Sequence, residues 1–462
     1  MFDPVGMHFE FEVRDPVHHS IPFGAQERDF INHLALQRLR HIRQLGFIYL
    51  VYPGATHERF SHSLGVMHVA GRMLSRIFQS NPALFRDHFQ PKELTYFFRI
   101  VRLAGLLHDL GHLPFSHSLE HSLPSLTKLP TPAEWYLDPL SSRKARHEDM
   151  TVALLHHLSK GKGALLDRGT AQDIAALVHR GVKPHRASTF AGKDGISIFP
   201  LLRDLITGEL DADRMDYLLR DSHFAGVTYG HFDMDRIIQS LTAIQVESGG
   251  AFQLALDANA IYTFEDFLLA RYHMFLQVYF HKTVPAFDHY LAQAVQEGEI
   301  RPPDWVDLDA FIDFRDEELL VQISRSKQQK WSRYLHHRLP AKLLVSARGE
   351  GPDMRLLNDV QTLLDRKGIA TFTCTSRQYL SKLTRPAGPQ PAKPSKDEQQ
   401  LYLVKHWMGK SLYQPVEKDS ALLQRFNQVI NLVHLYCLPE SGARARKMLE
   451  NQFDPLQLRL QF

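Results

Sequence analysis

The sequence of 462 residues contains only two cysteines, Cys374 and Cys437, which lie in unrelated local contexts. This scarcity excludes a disulfide framework and predicts a reducing, cytoplasmic location. No hydrophobic run approaches the roughly 18 apolar residues of a membrane span, and no signal-peptide pattern is visible at the start. The net charge of +3 is too small for a protein that coats a polyanion. These absences predict a protein without a membrane partner.

Helical periodicity dominates what is present, and the fold class predicted is mainly α. Residues 1–335 are expected to form one helical domain after a short extended segment, and residues 336–462 a small α/β region. A flexible Pro-rich loop is predicted at 386–399. Helices are predicted over 30–52, 58–79, 147–159, 171–179, 199–221, 233–242, 261–296, 353–367 and 420–435, with strands at 341–346, 370–374 and 401–404.

The most informative stretch for function runs from Leu106 to His117 and contains three histidines and an aspartate within a dozen residues. We expect it to begin as a buried helix, with His108 and His112 on one face and Asp109 about 100° around the axis. Buried imidazoles and carboxylates must be paired or bound to a metal to offset their desolvation. This segment therefore predicts a functional site.

Two more segments supply the partners that such a site needs. Arg59-Phe-Ser-His62 lies near a helix start, and the stretch from Leu210 to Asp221 is rich in aspartate. A mixed set of imidazoles and carboxylates suits Mn, Fe, Co, Ni or Zn, and Mg also remains open. Without thiolates, positions would stay free for water or phosphate. The predicted ligands of this divalent metal ion are His62, His108, Asp109 and Asp213.

The order of these residues resembles the H…HD…D signature of the HD-domain metal-dependent phosphohydrolases. Further motifs over about residues 10–290 are similar to those of the deoxynucleoside triphosphate triphosphohydrolases, a group that includes the animal enzyme with a sterile-alpha-motif domain. The resemblance implies an HD-domain helical core with a small C-terminal α/β appendage. The motifs lie at 15–18, 37–46, 52–65, 108–117, 147–148 and 211–217.

The resemblance also implies a reaction, in which water attacks the α-phosphate of a dNTP and releases deoxynucleoside and inorganic triphosphate. His117, oriented by Glu120, is expected either to protonate the departing 5′-oxygen or to guide the water. Gln44 and Leu45 match the pair beside the sugar, where a bulky side chain excludes a 2′-hydroxyl. The implied catalytic residues are His112, His117, Glu120, His147 and Glu148, and the other implied substrate residues are Arg59, Arg214, Tyr217, Asp221, Arg271, Tyr279 and His281.

Three departures concern regulation. The animal relatives are tetramers activated by guanine nucleotides, and their guanine-reading aspartate falls at Asn32 here. Two basic residues that hold activator phosphates fall at Asp257 and Asn259, whereas Gln37 and Arg40 of that effector site are kept. The resemblance therefore implies a homo-oligomer, while these changes argue against activation of the same kind and leave room for another nucleotide effector.

Two other functions remain open at this stage. One is an HD-type nuclease or phosphodiesterase on nucleic acid or another phosphate ester, and the other is a nucleotide-sensing protein. The basic segment 324–338 contains two aromatic residues, but a solvated helix is favoured there over nucleic-acid contact. By pattern alone, the arginines of 38–43 predict a solvated face or ion pairs between subunits.

Overall fold

Helices dominate the chain up to residue 336, so the prediction of a mainly α fold is confirmed. The computed structural model describes residues 9–185, 187–246, 250–349, 352–379, 381, 383, 400–408, 410–425 and 429–453. None of the described helices is long and apolar enough to cross a membrane. The helices up to residue 336 are α1 (Ala25–Ile31), α2 (Leu34–Gln37), α3 (Arg59–Ser80), α4 (Pro82–His88), α5 (Pro91–Leu107), α6 (His147–Leu158), α7 (Arg168–Val178), α8 (Ala187–Phe190), α9 (Phe199–Thr207), α10 (Ala212–Ala225), α11 (Met234–Gln239), α12 (Ile261–Met274), α13 (Val284–Gln296), α14 (Leu308–Asp313), α15 (Asp316–Arg325) and α16 (Lys330–His336).

Helices α3, α5 and α10 form the centre of the fold, and glycines set their close approach. A Cβ on Gly105 of α5 would lie 3.0 Å from the Met67 backbone of α3. A Cβ on Gly65 of α3 would lie 1.8 Å from Oδ1 of Asp216 in α10. Because these positions carry no side chain, the three helices pack tightly enough to bring polar groups of different segments together.

The predicted continuation of a helix through the His-rich stretch is wrong. Helix α5 ends at Leu107, and residues 108–111 form turns instead. Gly111 causes the change of direction, since a Cβ there would lie 2.1 Å from the carbonyl oxygen of His147. Its N–H donates to Oγ1 of Thr151 in α6. The packing of this turn on α6 therefore outweighs the helical pattern of the sequence.

Three long predicted helices are interrupted. The segment 30–52 forms α1, α2 and two 3₁₀ turns at Arg38–His41 and Gly46–Leu50. The segment 199–221 divides into α9 and α10, where Asp211 caps the second helix by accepting from the N–H of Arg214. The segment 261–296 divides at a π-helical turn and restarts at Val284 with Pro285 in its first turn. Caps and proline end these helices where apolar spacing alone shows no boundary.

Strands are more frequent than predicted. The N-terminal segment is a hairpin of β1 (Phe11–Asp15) and β2 (His19–Phe23), and β3 (Leu241–Gln245) pairs antiparallel with β4 (Phe252–Asp257). The parallel pairing of β4 with β7 then joins the C-terminal part of the chain to this hairpin. The predicted division at residue 335 remains a prediction. The C-terminal strands are β5 (Lys342–Arg348), β6 (Thr371–Tyr379), β7 (Tyr402–Trp407), β8 (Lys410–Pro415) and β9 (Val429–Cys437).

The C-terminal region contains a three-stranded sheet in the order β5-β9-β6. Helices α17 (Pro352–Arg366) and α19 (Gly442–Glu450) contact it, and they contribute to a second small apolar core. The predicted final helix 420–435 is wrong, because among the described residues of this segment only α18 (Ala421–Arg425) is helical, and β9 occupies 429–435. Strand β9 is apolar at all of its nine positions except Asn431 and His434, which is typical of a buried strand at the centre of a sheet. The predicted Pro-rich loop lies outside the described residues.

Two surface predictions are confirmed only in part. Arg40 is exposed, but Arg38 is only 1% exposed, and its guanidinium donates to the carbonyl oxygens of His112 and Phe314. Most of the basic segment 324–338 is exposed, as expected of a solvated helix, whereas Trp331 and Tyr334 are buried, which leaves neither ring free to stack on a base. Arg38 and these two rings therefore stabilise the interior, while the other charged side chains of the segment 324–338 face the solvent.

Candidate active site

Four side chains converge on the floor of the site. His62 comes from the first turn of α3, His108 and Asp109 follow the end of α5, and Asp213 lies in the first turn of α10. Nε2 of His62 is 3.1 Å from Oδ1 of Asp213 and 3.7 Å from Oδ2 of Asp109. Nε2 of His108 is 3.2 Å from Oδ1 of Asp109 and 3.6 Å from Oδ1 of Asp213. The tertiary structure therefore assembles all four predicted ligands.

The electrostatics of this floor fit a cation. Burial opposes protonation of His62, but hydrogen bonds to Asp213 and Asp216 outweigh it and raise the pKa of His62 to about 10. Burial also opposes ionisation of Asp109, yet the positive charge of His108 helps to hold its pKa well below the usual range. Nε2 of His108 is buried without a hydrogen bond to the described residues. Such a cluster can hold a metal ion.

Asp216 contacts the side of His62 that faces away from the floor. It was not among the residues that the sequence motifs predicted for the site. Its Oδ2 is 2.7 Å from Nδ1 of His62, and its Oδ1 is 2.6 Å from Nε2 of His18. Arg220 donates to both carboxylate oxygens. A carboxylate at Nδ1 fixes the tautomer of His62 and directs Nε2 toward the floor. Its position three residues after Asp213, one helical turn away, was the available signal.

A second group of imidazoles lies beside the floor. Oε1 of Glu120 accepts from Nδ1 of His147 and lies 3.2 Å from Nδ1 of His117. The rings of His112 and His147 stack with their centroids 3.9 Å apart. Burial lowers the pKa of His112, whereas Glu120 and Glu148 overcome burial and raise the pKa of His147. Adjacent neutral and protonated imidazoles suit proton transfer.

Arg59 bridges the floor and the cavity wall. Its NH1 donates to Oδ2 of Asp109 across 2.5 Å, while Nε and NH2 donate to Oγ of Ser116. NH2 also donates to the carbonyl oxygen of Gln44 at 3.3 Å. A guanidinium held this way presents a fixed positive charge beside the metal-binding cluster, which suits an anionic substrate.

Two more arginines contact one buried acid, Glu209. The sequence motifs did not point to Glu209, although it directly precedes the aspartate-rich segment that begins at Leu210. Its Oε2 lies 3.3 Å from NH1 of Arg214, and its Oε1 lies 3.4 Å from NH1 of Arg271. Burial opposes the charge of Arg214, but Asp211 and Glu209 more than compensate and raise its pKa. Arg214 therefore stays cationic in a buried setting.

The opposite end of the site combines rings with a carboxylate. The hydroxyl of Tyr279 donates to Oδ2 of Asp221 across 2.7 Å, and Nε2 of His57 lies 2.8 Å from Oδ1 of Asp221. The rings of Tyr217 and Tyr279 meet edge to face with centroids 6.1 Å apart. Leu45 lines the same cavity. This end offers hydrogen bonds to a hydroxyl and little room around it.

A strained turn positions Ser116 under Arg59. Phe115 and Ser116 have φ angles of 54° and 58°, the left-handed region that side chains rarely adopt. The N–H groups of Phe115 and Arg43 donate to buried Asp316, whose pKa burial raises to about 6. Gly46 is required opposite the turn, since a Cβ there would lie 2.9 Å from the carbonyl oxygen of Phe115. Local strain held by packing is typical of functional sites.

Not every predicted residue reaches the cavity. Arg271 is 2% exposed, and the described residues that line the cavity include neither it nor His62, Glu120 or His281. Glu120 contacts the imidazoles of His117 and His147. Gln37 and Arg40 lie together, with Nε of Arg40 donating to Oε1 of Gln37 across 2.9 Å. Their effector role remains a prediction.

One cavity of about 870 Å³ is lined by His108, Asp109 and Asp213 of the floor. Arg59, Arg214 and Tyr279 also line it, together with the apolar side chains of Phe280 and Val284. Ligand sites for small molecules span about 300–1,000 Å³, so this cavity has the size of such a site.

Two family models match this chain. The HD domain model matches residues 59–221, which contain the whole metal-binding floor, and the HD associated region model matches residues 232–348. The chain belongs to the HD-domain phosphohydrolases. The resemblance inferred from the sequence motifs is therefore confirmed at the level of the family.

Named relatives of this HD-domain protein extend the comparison. It is 35% identical over 271 residues to the uncharacterized protein YwfO of Bacillus subtilis, covering 58% of this chain and 51% of that protein. It is 29% identical over 322 residues to the deoxynucleoside triphosphate triphosphohydrolase SAMHD1 homolog of Dictyostelium discoideum, covering 68% and 55%. The chain thus spans about half the length of these curated relatives. A hypothetical protein from Aquifex aeolicus has a similar structure, with a TM-score of 0.70, 25% identity and coverage of 95% and 99%.

Proposed function

We propose that this HD-domain protein is a metal-dependent deoxynucleoside triphosphate triphosphohydrolase. The observation that carries the proposal is one cavity lined by His108, Asp109 and Asp213 of the metal-binding floor, by Arg59 and Arg214, and by Leu45, Tyr279 and Asp221. Guanidinium groups suit a triphosphate. A tyrosine–aspartate pair beside a leucine suits a 3′-hydroxyl with no 2′-hydroxyl next to it.

His62, His108, Asp109 and Asp213 would hold a divalent cation, whose identity stays open among Mn, Fe, Ni, Co, Zn and Mg. When bound, such an ion lowers the pKa of water and polarises a phosphoryl oxygen. The donor set fits because its nitrogen and carboxylate groups are already held in place, with His62 fixed by Asp216.

In the proposed reaction, His117 donates a proton, and Arg59 and Arg214 stabilise negative charge. Water attacks the α-phosphorus, the bond from phosphorus to the 5′-oxygen breaks, and that oxygen takes a proton. His117, which lines the cavity and contacts Glu120, is the proposed proton donor. Arg59 and Arg214 stabilise the negative charge that develops on the triphosphate.

Product analysis tests this proposal. Purified protein with Mn is incubated with each dNTP alone and with an equal mixture, beside Asp109→Ala, and products are resolved by ion-exchange chromatography. Deoxynucleoside and inorganic triphosphate, absent with the variant, are expected. If every dNTP stays intact while the metal is bound, the proposal fails. Turnover only in the mixture would support a nucleotide effector, and sedimentation with and without dNTPs tests the predicted homo-oligomer, a tetramer in the animal relatives.

One observation favours a second candidate, a nuclease or phosphodiesterase. The cavity is also lined by Arg143, Arg146 and Arg180. Arg143 pairs with Asp149 and Arg180 with Asp204, and three guanidinium groups in one lining suit the backbone of a longer polyanion. Degradation of single-stranded DNA or RNA by the wild type, lost in Asp109→Ala, would favour this candidate, and intact nucleic acid would exclude it.

A further inference from the structure

Strand β6 of the C-terminal sheet is fixed against helix α13 at the wall of the cavity. The ring of Phe372 stacks on His289 with centroids 3.9 Å apart and planes 7° apart. Two residues further along the strand, Sγ of Cys374 lies 3.5 Å from the carbonyl oxygen of Pro285. Both partners belong to α13, so the same face of β6 rests on this helix.

The neighbouring strand β9 strengthens this attachment. Tyr436 pairs with Phe372 across the two strands, and their rings stack with centroids 5.3 Å apart. The Tyr436 hydroxyl donates across 2.5 Å to the carbonyl oxygen of Lys282, just before α13 begins. The sheet and the start of α13 therefore form one packed wall.

Alternation along β6 places one polar side chain at the cavity. Exposed residues alternate with half-buried ones from Phe372 to the end of the strand, and Gln378 shares the half-buried face with Phe372 and Cys374. Gln378 lines the cavity together with Phe280 and Val284. It lies beyond residue 348, where the second family match ends.

Two residues of the cavity lining, Phe280 and Gln378, offer surfaces that suit a base. A nucleotide with its triphosphate at Arg59 and Arg214 and its sugar at Tyr279 brings its base close to Phe280, which directly follows Tyr279. Strand β6, which carries Gln378, packs on α13, and α13 begins four residues after Phe280. An aromatic ring supplies a stacking surface that every base accepts, whereas a primary amide supplies one donor and one acceptor.

We propose that Gln378 reads the edge of the nucleobase and sets the base preference of the enzyme. The inference rests on the proposed function and adds to it a specificity-determining residue from the C-terminal sheet. The ligand group is a heterocyclic base whose edge offers a hydrogen-bond donor, an acceptor or both. Loss of the amide removes a contact that differs between bases, while the contacts to triphosphate and sugar remain.

A competition experiment tests the proposal on the full chain. Wild type, Gln378→Ala and Gln378→Glu are each given the four dNTPs in one equal mixture with Mn, so that relative consumption reports relative kcat/KM. Arg377→Ala is the matched control, because Arg377 lies on the exposed face of the same strand. An abasic 2-deoxyribose triphosphate measures turnover without a base, and circular dichroism shows that each variant is folded.

The expected result is a change of about fivefold or more in at least one consumption ratio for Gln378→Ala, with abasic turnover unchanged. Gln378→Glu, which only accepts, should favour bases that present amino or imino donors. Unchanged ratios in both variants, or an equal change in Arg377→Ala, would overturn the inference while leaving the triphosphohydrolase proposal intact. A wild type that consumes no dNTP would overturn both.

Discussion

The helical region 59–221 and the C-terminal strand β6 both line the cavity, but different interactions hold them there. In the helical region, buried charges are paired in networks, as in the contacts among His62, Asp216 and Arg220. The C-terminal sheet reaches the cavity through stacked rings and single contacts to backbone carbonyl oxygens, as at Phe372 and Tyr436. The first arrangement suits chemistry on charged groups, and the second suits a surface that shapes what can bind.

The strongest test of this difference removes one ligand from the floor. Asp109→Ala should lower kcat by about a thousandfold or more, because the cation site loses a carboxylate and Arg59 loses its partner. Metal content after dialysis and steady-state turnover measure the effect. Asp309→Ala, on an exposed aspartate, is the control. Retained activity in Asp109→Ala would show that the reaction does not use this floor.

A smaller effect, on metal affinity, is expected from a change at Asp216, which contacts His62. Asp216→Asn should weaken metal affinity by about 10- to 100-fold, because His62 loses the carboxylate that orients it. Metal titration of the folded variant provides the measurement, and Asp235→Asn, in a surface ion pair with Arg72, is the control. Equal metal affinities in wild type and Asp216→Asn would show that Asp216 contributes to packing and does not orient His62 for the metal ion.

The strained turn beside the floor gives a pH-dependent prediction. Burial raises the pKa of Asp316 from 3.8 to about 6, so the folded state binds its proton more tightly than the unfolded chain does. The associated stability is fully present below pH 3.8 and is lost as pH rises through 6. Wild type should therefore lose on the order of 2 kcal/mol relative to Asp316→Asn between pH 4 and pH 7.

Urea unfolding at both pH values measures this difference. Asp316→Asn is expected to be the less stable protein at pH 4, and the gap should narrow by pH 7. A gap that stays constant, or that widens with pH, would contradict the assignment of this titration to Asp316. Asp309→Asn, on an exposed aspartate outside the turn, supplies the reference for a surface carboxylate.

The smallest effect is expected in the C-terminal sheet. Tyr436→Phe removes the hydroxyl that contacts Lys282 and should lower the free energy of unfolding by about 1 kcal/mol. Metal affinity should not change, because the ring stacking on Phe372 remains and the floor is untouched. Tyr413→Phe, on a more exposed tyrosine, is the control. A loss of metal affinity in Tyr436→Phe would show that the two regions are coupled.

The sequence predicted the helical class, the family and the floor ligands, because short polar motifs with fixed spacing can be recognised without knowing how the chain packs. His62, His108, Asp109 and Asp213 were found this way, and helix α3 was placed within one residue of its predicted bounds. The prediction failed where a local choice depended on a distant contact. The turn at Gly111 follows from α6, and β9 follows from pairing with β5 and β6.

The sequence itself thus determined which side chains can act as metal ligands, since an imidazole or a carboxylate has the same donor atoms wherever the chain places it. Only the tertiary structure decided which groups support them. Asp216, Glu209 and Asp316 became visible once helices far apart in the chain were packed together. Gln378 reaches the cavity for the same reason, because the register and packing of a sheet decide which alternate side chain meets the ligand.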